Sequence, residues 1–127
     1  MIDPDVRRAL DGTSIAHLAT VLADGSPHVV PVFVGTHGDA IAVFTGPQSL
    51  KAQNLRRDPR VALSIAPEDN PFVPIAIRGT VVEWLEGDAA WEIIDRIAMT
   101  YTGSPYSRDL DRVVALIAPE RQIVGVR

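Results

Sequence analysis

The chain has 127 residues, 46% hydrophobic and 22% charged, the balance of a single globular domain over 1–127 with a core of its own, and not of a disordered segment. Its formal net charge of −4, with no long basic run, argues against non-specific nucleic-acid binding, and the lack of cysteine excludes disulfides, thiolate metal sites and a cysteine nucleophile. The opening MIDPDVRRAL has two acids and no apolar run, so no leader peptide or membrane span is expected and the cytoplasm is the expected compartment.

Asp3-Pro4 reads as an N-cap and a first-turn proline, opening a short helix to about Leu10 that Gly12 ends. Ser14 to Ala23 is apolar at both alternating sets of positions, which predicts a strand buried on both faces, with His17 as a hydrogen-bonded core residue. Asp24-Gly25 is the strongest hairpin signal in the chain. The returning strand, Pro27 to Gly35, contains Pro31, which lacks a ladder donor and places the segment at an edge, a bulge or a ligand-facing gap. Thr36 to Asp39, including His37, turns the chain into a strand over Ala40–Thr45, so the opening reads as a three-stranded antiparallel meander.

The stretch from Thr45 to Arg60, TGPQSLKAQNLRRDPR, organises the rest. Pro47 suits a first helical turn, Ser49 offers a hydroxyl to unpaired amides, and Pro59 stops the helix at Asp58. Strand, tight turn, helix start and Lys51 one turn in form a pattern suited to phosphate, because helix amides, macrodipole and ammonium all favour an anion there. The same pattern also fits a surface amphipathic helix whose Lys51, Arg56 and Arg57 are merely solvated.

Arg60 to Ala66 is a further buried strand, followed by a proline-bearing loop over Pro67–Pro71 and a long strand from Phe72 to Leu85. Gly79 inside it predicts a bulge or bend. Asp88 reads as the cap of a second long helix, in which Trp91, Ile94, Ile97, Ala98 and Tyr101 recur at helical spacing and Gly103 marks the end. Ser104 to Asp111 is irregular, and Val113–Ala118 with Gln122–Val126 supplies the last strand material. Six or seven strands joined mainly by hairpins, with two or three short helices, predict a mostly β (α+β) fold, a small antiparallel barrel.

His17, His28 and His37 show no metal-ligand spacing, so zinc is not expected, and no phosphate-binding glycine motif or nucleophile elbow is present. His28 flanks the strand nearest the candidate site. The carboxylates show no pairing that singles out a general acid and base, so any enzymatic chemistry falls to a cofactor.

The run ATVLADGSPHVVPVFV, the turn VFTGPQSLKAQNLRRDPRVALSI and the later IRGTVVE together resemble the pyridoxamine 5′-phosphate oxidase-like family of split β-barrels, which bind flavins or the deazaflavin coenzyme F-420. The resemblance covers roughly Ser14 to Glu83 in order and spacing and is looser beyond Asp88. It implies a cofactor phosphate on Ser49 and Lys51, and a ring along the Val30–Val32 backbone, through Pro31, with Phe44 and Thr45. Val30, Val32 and Phe44 also read simply as core. Leu50 stands where the oxidase proper carries an arginine, and the C-terminus lacks that enzyme's tryptophan and Arg/His elements, which points away from pyridoxamine 5′-phosphate oxidation itself.

The NLRRDPRV and YTGSPYSRD segments look most like the F-420-dependent branch, with FMN as the alternative and haem or no cofactor as remaining readings. The resemblance therefore implies hydride transfer between F-420 and a small unsaturated or conjugated substrate, without an assigned catalytic side chain. A non-catalytic flavin- or deazaflavin-binding module is the rival. A homodimer with cofactor sites lined by both chains is implied, and the apolar composition supports it, since so few helices leave sheet uncovered.

Overall fold

A computed structural model of the chain describes residues 1–125. The elements run α1 (Pro4–Leu10), β1 (Ala16–Val21), β2 (Pro27–Val32), β3 (Val34–His37), β4 (Ala40–Thr45), α2 (Leu50–Arg57), β5 (Arg60–Ile65), β6 (Ile75–Leu85), α3 (Gly87–Thr102) and β7 (Val113–Val124). All strand pairs are antiparallel, in the order β2-β1-β5-β6-β7-β4-β3. The fold is mostly β, a curled half-barrel with three helices, as expected.

The two edge strands are consecutive in the chain. Only Phe33 separates β2 from β3, yet β2 pairs with β1 at one end of the sheet and β3 with β4 at the other. A flat sheet cannot satisfy both pairings, so the sheet curls until its ends meet. The strand expected over Pro27–Gly35 is thus shared between both edges, and the opening is not a three-stranded meander. At the junction Phe33 stacks on Tyr101, with ring centroids 4.2 Å apart, and the Tyr101 hydroxyl accepts from Val34 N and donates to Ser14 O. That aromatic anchor takes the Val34 amide where the chain changes partners. Pro31 lies on an edge strand, where its missing donor costs no ladder bond to a further strand.

One core fills the barrel, from Leu18, Val43, Leu63, Ile77 and Ile117, with Val6 and Leu10 of α1 and Leu55 of α2 plugging it. A second lies outside the sheet, where Ile93, Ile94 and Ile97 of α3 cover Ala42, Val114 and Leu116. The first half of β7 is therefore buried on both faces. β1 is not: Ala16, Leu18 and Thr20 face the core, whereas His17 is exposed, because among the described residues no helix packs on the outside of β1. His17 is a surface residue, which corrects the core expectation. His37 closes β3 ahead of the Gly38 turn, and β6 starts at Ile75, with Phe72 fully outside between Pro71 and Pro74.

Pro47 lies in the turn before α2, not in its first turn; Ser49 is the N-cap. Asp88 sits in the first turn of α3, whose N-cap is Glu86, and serves the helix dipole without capping it. Gly103 ends α3 in the left-handed conformation, as expected. Val113 to Val124 form one strand, and the last residue expected there, Val126, lies outside the described residues. Among the described residues no helix is long and apolar enough to cross a membrane.

Gly79 marks a register shift between β6 and β7, with Glu120 as the extra residue, and a Cβ on it would lie 2.5 Å from the Ala118 carbonyl oxygen. Gly25 turns the β1–β2 hairpin at φ +88° with open space around it. Gly25→Val should therefore cost ~1 kcal/mol or somewhat more through backbone strain alone. Gly79→Val must push two strands apart and should cost more, about 1–3 kcal/mol beyond the hairpin variant. Urea unfolding of the two variants checks the order, and equal midpoints would contradict the close approach.

Candidate anion-binding site

The end of β4, the turn Gly46–Gln48 and the start of α2 form the site. Thr45 Oγ1 and Ser49 Oγ lie 2.7 Å apart, and Ser49 Oγ also accepts from Ala52 N at 3.1 Å. Of the two hydroxyl hydrogens one closes the pair and the other is left to donate outward. Ser49 N bonds Gly46 O across the turn, which sets the cap residue in extended geometry ahead of the helix. With Ala52 N taken by the cap, the amides of Leu50 and Lys51 are the helix donors that lack an intrahelical acceptor.

Lys51 is half-buried, and its pKa is lowered from 10.5, first by burial and then by the charge of Arg112. Arg112 precedes β7, and the register Thr45–Val113 brings it beside Gly46, where its Nη1 lies 3.7 Å from the position a Cβ would take. Its guanidinium bonds Asp111 O and lies 5.6 Å from the Tyr106 ring centroid. Among the described residues neither Lys51 nor Arg112 has a carboxylate within ion-pair distance. Two cations close enough to disfavour one another, beside hydroxyls and free helix amides, make a site complementary to an anion.

A buried amide holds α2 in place. Asn54, fully buried, donates from Nδ2 to Thr20 Oγ1 at 3.0 Å, and its Oδ1 accepts from Arg57, which also donates to Val21 O. This ties the helix to β1 one turn beyond Lys51. Arg56 stacks on Trp84 at 4.2 Å.

Of the residues expected at the site, Thr45, Ser49 and Lys51 are gathered around the turn. Val30 and Val32 direct their side chains toward the barrel core, and Pro31, between them, is exposed. Phe44 points to the opposite side of the sheet, into the α3 cluster, edge-on to Tyr106 at 5.0 Å. Its ring is therefore engaged by protein. His28 is half-buried on β2. No group of three or more His, Asp or Glu among the described residues could hold a metal.

Arg112 and Asn54 escape a reading of the sequence. Nothing in spacing links residue 112 to residue 46; only strand register does. Asn54 leaves a faint signal, as an amide beside Ala52 and Leu55 on the face of α2 that is buried.

A lysine with a lowered folded pKa binds fewer protons folded than unfolded between the two values, so stability rises with pH through that window. The cost of charging Lys51 is fully present at neutral pH and is relieved as pH climbs from the lowered value toward 10.5. In buffer free of multivalent anions, Lys51→Met should melt higher than the parent at neutral pH, with the difference shrinking as pH rises. Added phosphate should raise the melting temperature of the parent more than that of the variant. Thermal melts across this range check both; a variant less stable at neutral pH would contradict the sign.

The sequence matches the family model for pyridoxamine 5′-phosphate oxidase over residues 2–123. None of the curated proteins matches it. Among solved structures, an F420 reductase is 26% identical with a TM-score of 0.81, covering 92% of this chain and 94% of that one. The conserved hypothetical protein Rv2991 from Mycobacterium tuberculosis is 26% identical with a TM-score of 0.77, covering 98% and 84%. General Stress Protein 26 from Bacillus anthracis shares the fold alone, at 18% identity and a TM-score of 0.71 over 93% and 88%. With nearly its whole length matched and its seven strands arranged as a curled half-barrel, the chain belongs to the pyridoxamine 5′-phosphate oxidase family.

Proposed function

We propose that this protein is a cytoplasmic oxidoreductase that holds a phosphate-bearing cofactor at the Gly46 turn and moves a hydride between it and a small unsaturated or conjugated substrate. Coenzyme F-420 is the first choice of cofactor. The observation that carries the reading is the pairing of Lys51 with Arg112 beside the Thr45–Ser49 hydroxyls, without an acid to neutralise them among the described residues. Likeness to an F420 reductase supports the deazaflavin. FMN is the alternative, supported by charge: its phosphate monoester is a dianion, and the two cations match it.

The cofactor would supply the redox chemistry. The chain's own contribution is to bind and orient: Lys51 and Arg112 meet phosphate charge, the free hydroxyl and the Leu50 and Lys51 amides meet its oxygens, and Asn54 keeps α2 from rotating. A ring laid along the Val30–Val32 edge would rest against backbone and Pro31, since the valine side chains are committed to the core. Among the described residues no side chain of the site is placed as an acid, which favours water as the source of the proton that would accompany the hydride. A binding protein without turnover is the rival, and steady-state assays with a panel of conjugated acceptors separate the two.

Removing one charge-assisted contact to phosphate costs roughly 1.5–3 kcal/mol. Lys51→Ala and Arg112→Ala should each weaken F-420 or FMN binding about tenfold to a hundredfold. Ser49→Ala should cost less. Riboflavin, which lacks the phosphate, should bind weakly and ignore both substitutions. Fluorescence titration reads these affinities, and full affinity in both cation variants would end the phosphate assignment.

The chain also works, on this reading, as a homodimer whose cofactor sites lie at the subunit boundary. The support is the outer face of β2, β1, β5 and the first half of β6, which no helix covers among the described residues and where Val29 is 61% exposed. Light scattering at micromolar concentration should give a two-chain mass; a one-chain mass would dismiss the dimer.

A further inference from the structure

Strand register fixes the backbone of Arg112 beside Gly46 but leaves its long side chain to be held by something else. Among the described residues the guanidinium has one hydrogen-bond acceptor, Asp111 O at 2.7 Å, which belongs to the adjoining residue and moves with it. Its support from farther along the chain is the Tyr106 ring, 5.6 Å away and within the range of a cation–π contact. Tyr106 in turn lies in the irregular segment 104–112, where neither helix nor ladder fixes the backbone.

Asp95 supplies what that segment lacks. From the middle of α3 its Oδ1 accepts from Tyr106 N at 3.1 Å and from Arg108 Nη1 at 2.8 Å, and its Oδ2 accepts from Arg108 Nη2 at 2.6 Å. Arg108 Nη1 also donates to Tyr106 O at 3.0 Å. Both peptide groups flanking Tyr106 are thus tied to one carboxylate, one directly and the other through the guanidinium. Trp91, four residues before Asp95 and on the same helix face, lies 4.0 Å from the Arg108 guanidinium, and Phe44 meets the Tyr106 ring edge-on at 5.0 Å. A bidentate fork of this kind sets direction as well as distance. An exposed ion pair is worth little by itself, but this one fixes the residue on which Arg112 rests.

We propose that Asp95 is a positioning residue of the anion site: it clamps Tyr106 directly and through Arg108, and the clamped ring holds Arg112 toward the ligand. The inference rests on the phosphate reading of the Gly46 turn. The carboxylate itself meets no ligand, and its effect runs opposite to its charge. Removing an acid from the neighbourhood of an anion site ordinarily strengthens binding, because the local charge becomes more positive. Here removal frees the segment, Arg112 loses its support and binding weakens.

Fluorescence titration of the full chain with F-420 and FMN, and with riboflavin as the phosphate-free control, tests it. Asp95→Ala should bind the phosphate-bearing cofactor about threefold to tenfold more weakly than the parent. Asp95→Glu, which restores a carboxylate able to reach Arg108, should recover part of the loss. Riboflavin binding should not change. Combined with Arg112→Ala, Asp95→Ala should cost nothing further, whereas combined with Lys51→Ala it should show its full single effect. A loss that adds in both backgrounds, or that riboflavin shares, marks a purely structural role and overturns the proposal. Parental or tighter binding by Asp95→Ala overturns it as well. Full affinity in both Lys51→Ala and Arg112→Ala is a separate outcome, which removes the phosphate site itself and the positioning role with it. If Asp95→Ala fails to fold, Arg108→Met, which keeps an apolar stem on Trp91 but not the fork, carries the same cycle: its loss must vanish in the Arg112→Ala background, and a loss that persists there overturns the proposal.

Discussion

The junction at Phe33 is the constraint on which the rest of the structure depends. A single extended segment serves both edges of the sheet, so the curl is a consequence of covalent continuity and not of side-chain preference alone. Tyr101 holds the junction from α3 by stacking on Phe33 and bridging Val34 N and Ser14 O. Gly35 lets the helix approach, since a Cβ there would lie 2.8 Å from Ile97. Once the junction is made, β4 is carried beside β7 and Thr45 beside Val113, which is what brings Arg112 to the Gly46 turn.

Electrostatics at that turn run against the usual habit of folded chains, in which a partly buried cation finds an acid. Lys51 loses hydration and gains a like-charged neighbour. The surface pairs behave otherwise: Asp95 holds Arg108 at 2.6 Å and Asp58 holds Arg60 at the same distance, both well paired and both away from the turn. The contrast fits the binding role proposed for the first arrangement and leaves the others to local order, at the end of α2 and in the 104–112 loop.

Much of this architecture is legible in the residue order because local chemistry dictates it. Asp24-Gly25 turns a hairpin, Ser49 caps α2, Asp58-Pro59 stops it, Gly79 sits at a bulge and Gly103 closes α3. Where the reading fails, a partner distant in sequence decides. Burial of β1 depends on which sheet face α3 covers, and that is a matter of topology; hence His17 is on the surface. The side of the sheet to which Phe44 points follows from strand alternation, but what awaits it there, Tyr106 on an irregular loop, does not. Lys51 stands out from its place after a tight turn, whereas Arg112, 61 residues later, shows itself only through register.

The seam where the sheet closes also bears on how the molecule keeps to itself. An open sheet offers two free edges on which a stray strand can build, the common start of aggregation. Here both edges belong to one continuous segment and diverge from a single corner. Two prolines, Pro27 and Pro31, further thin the donors along β2. The fold can thus leave the seam unpaired without advertising a template to other chains.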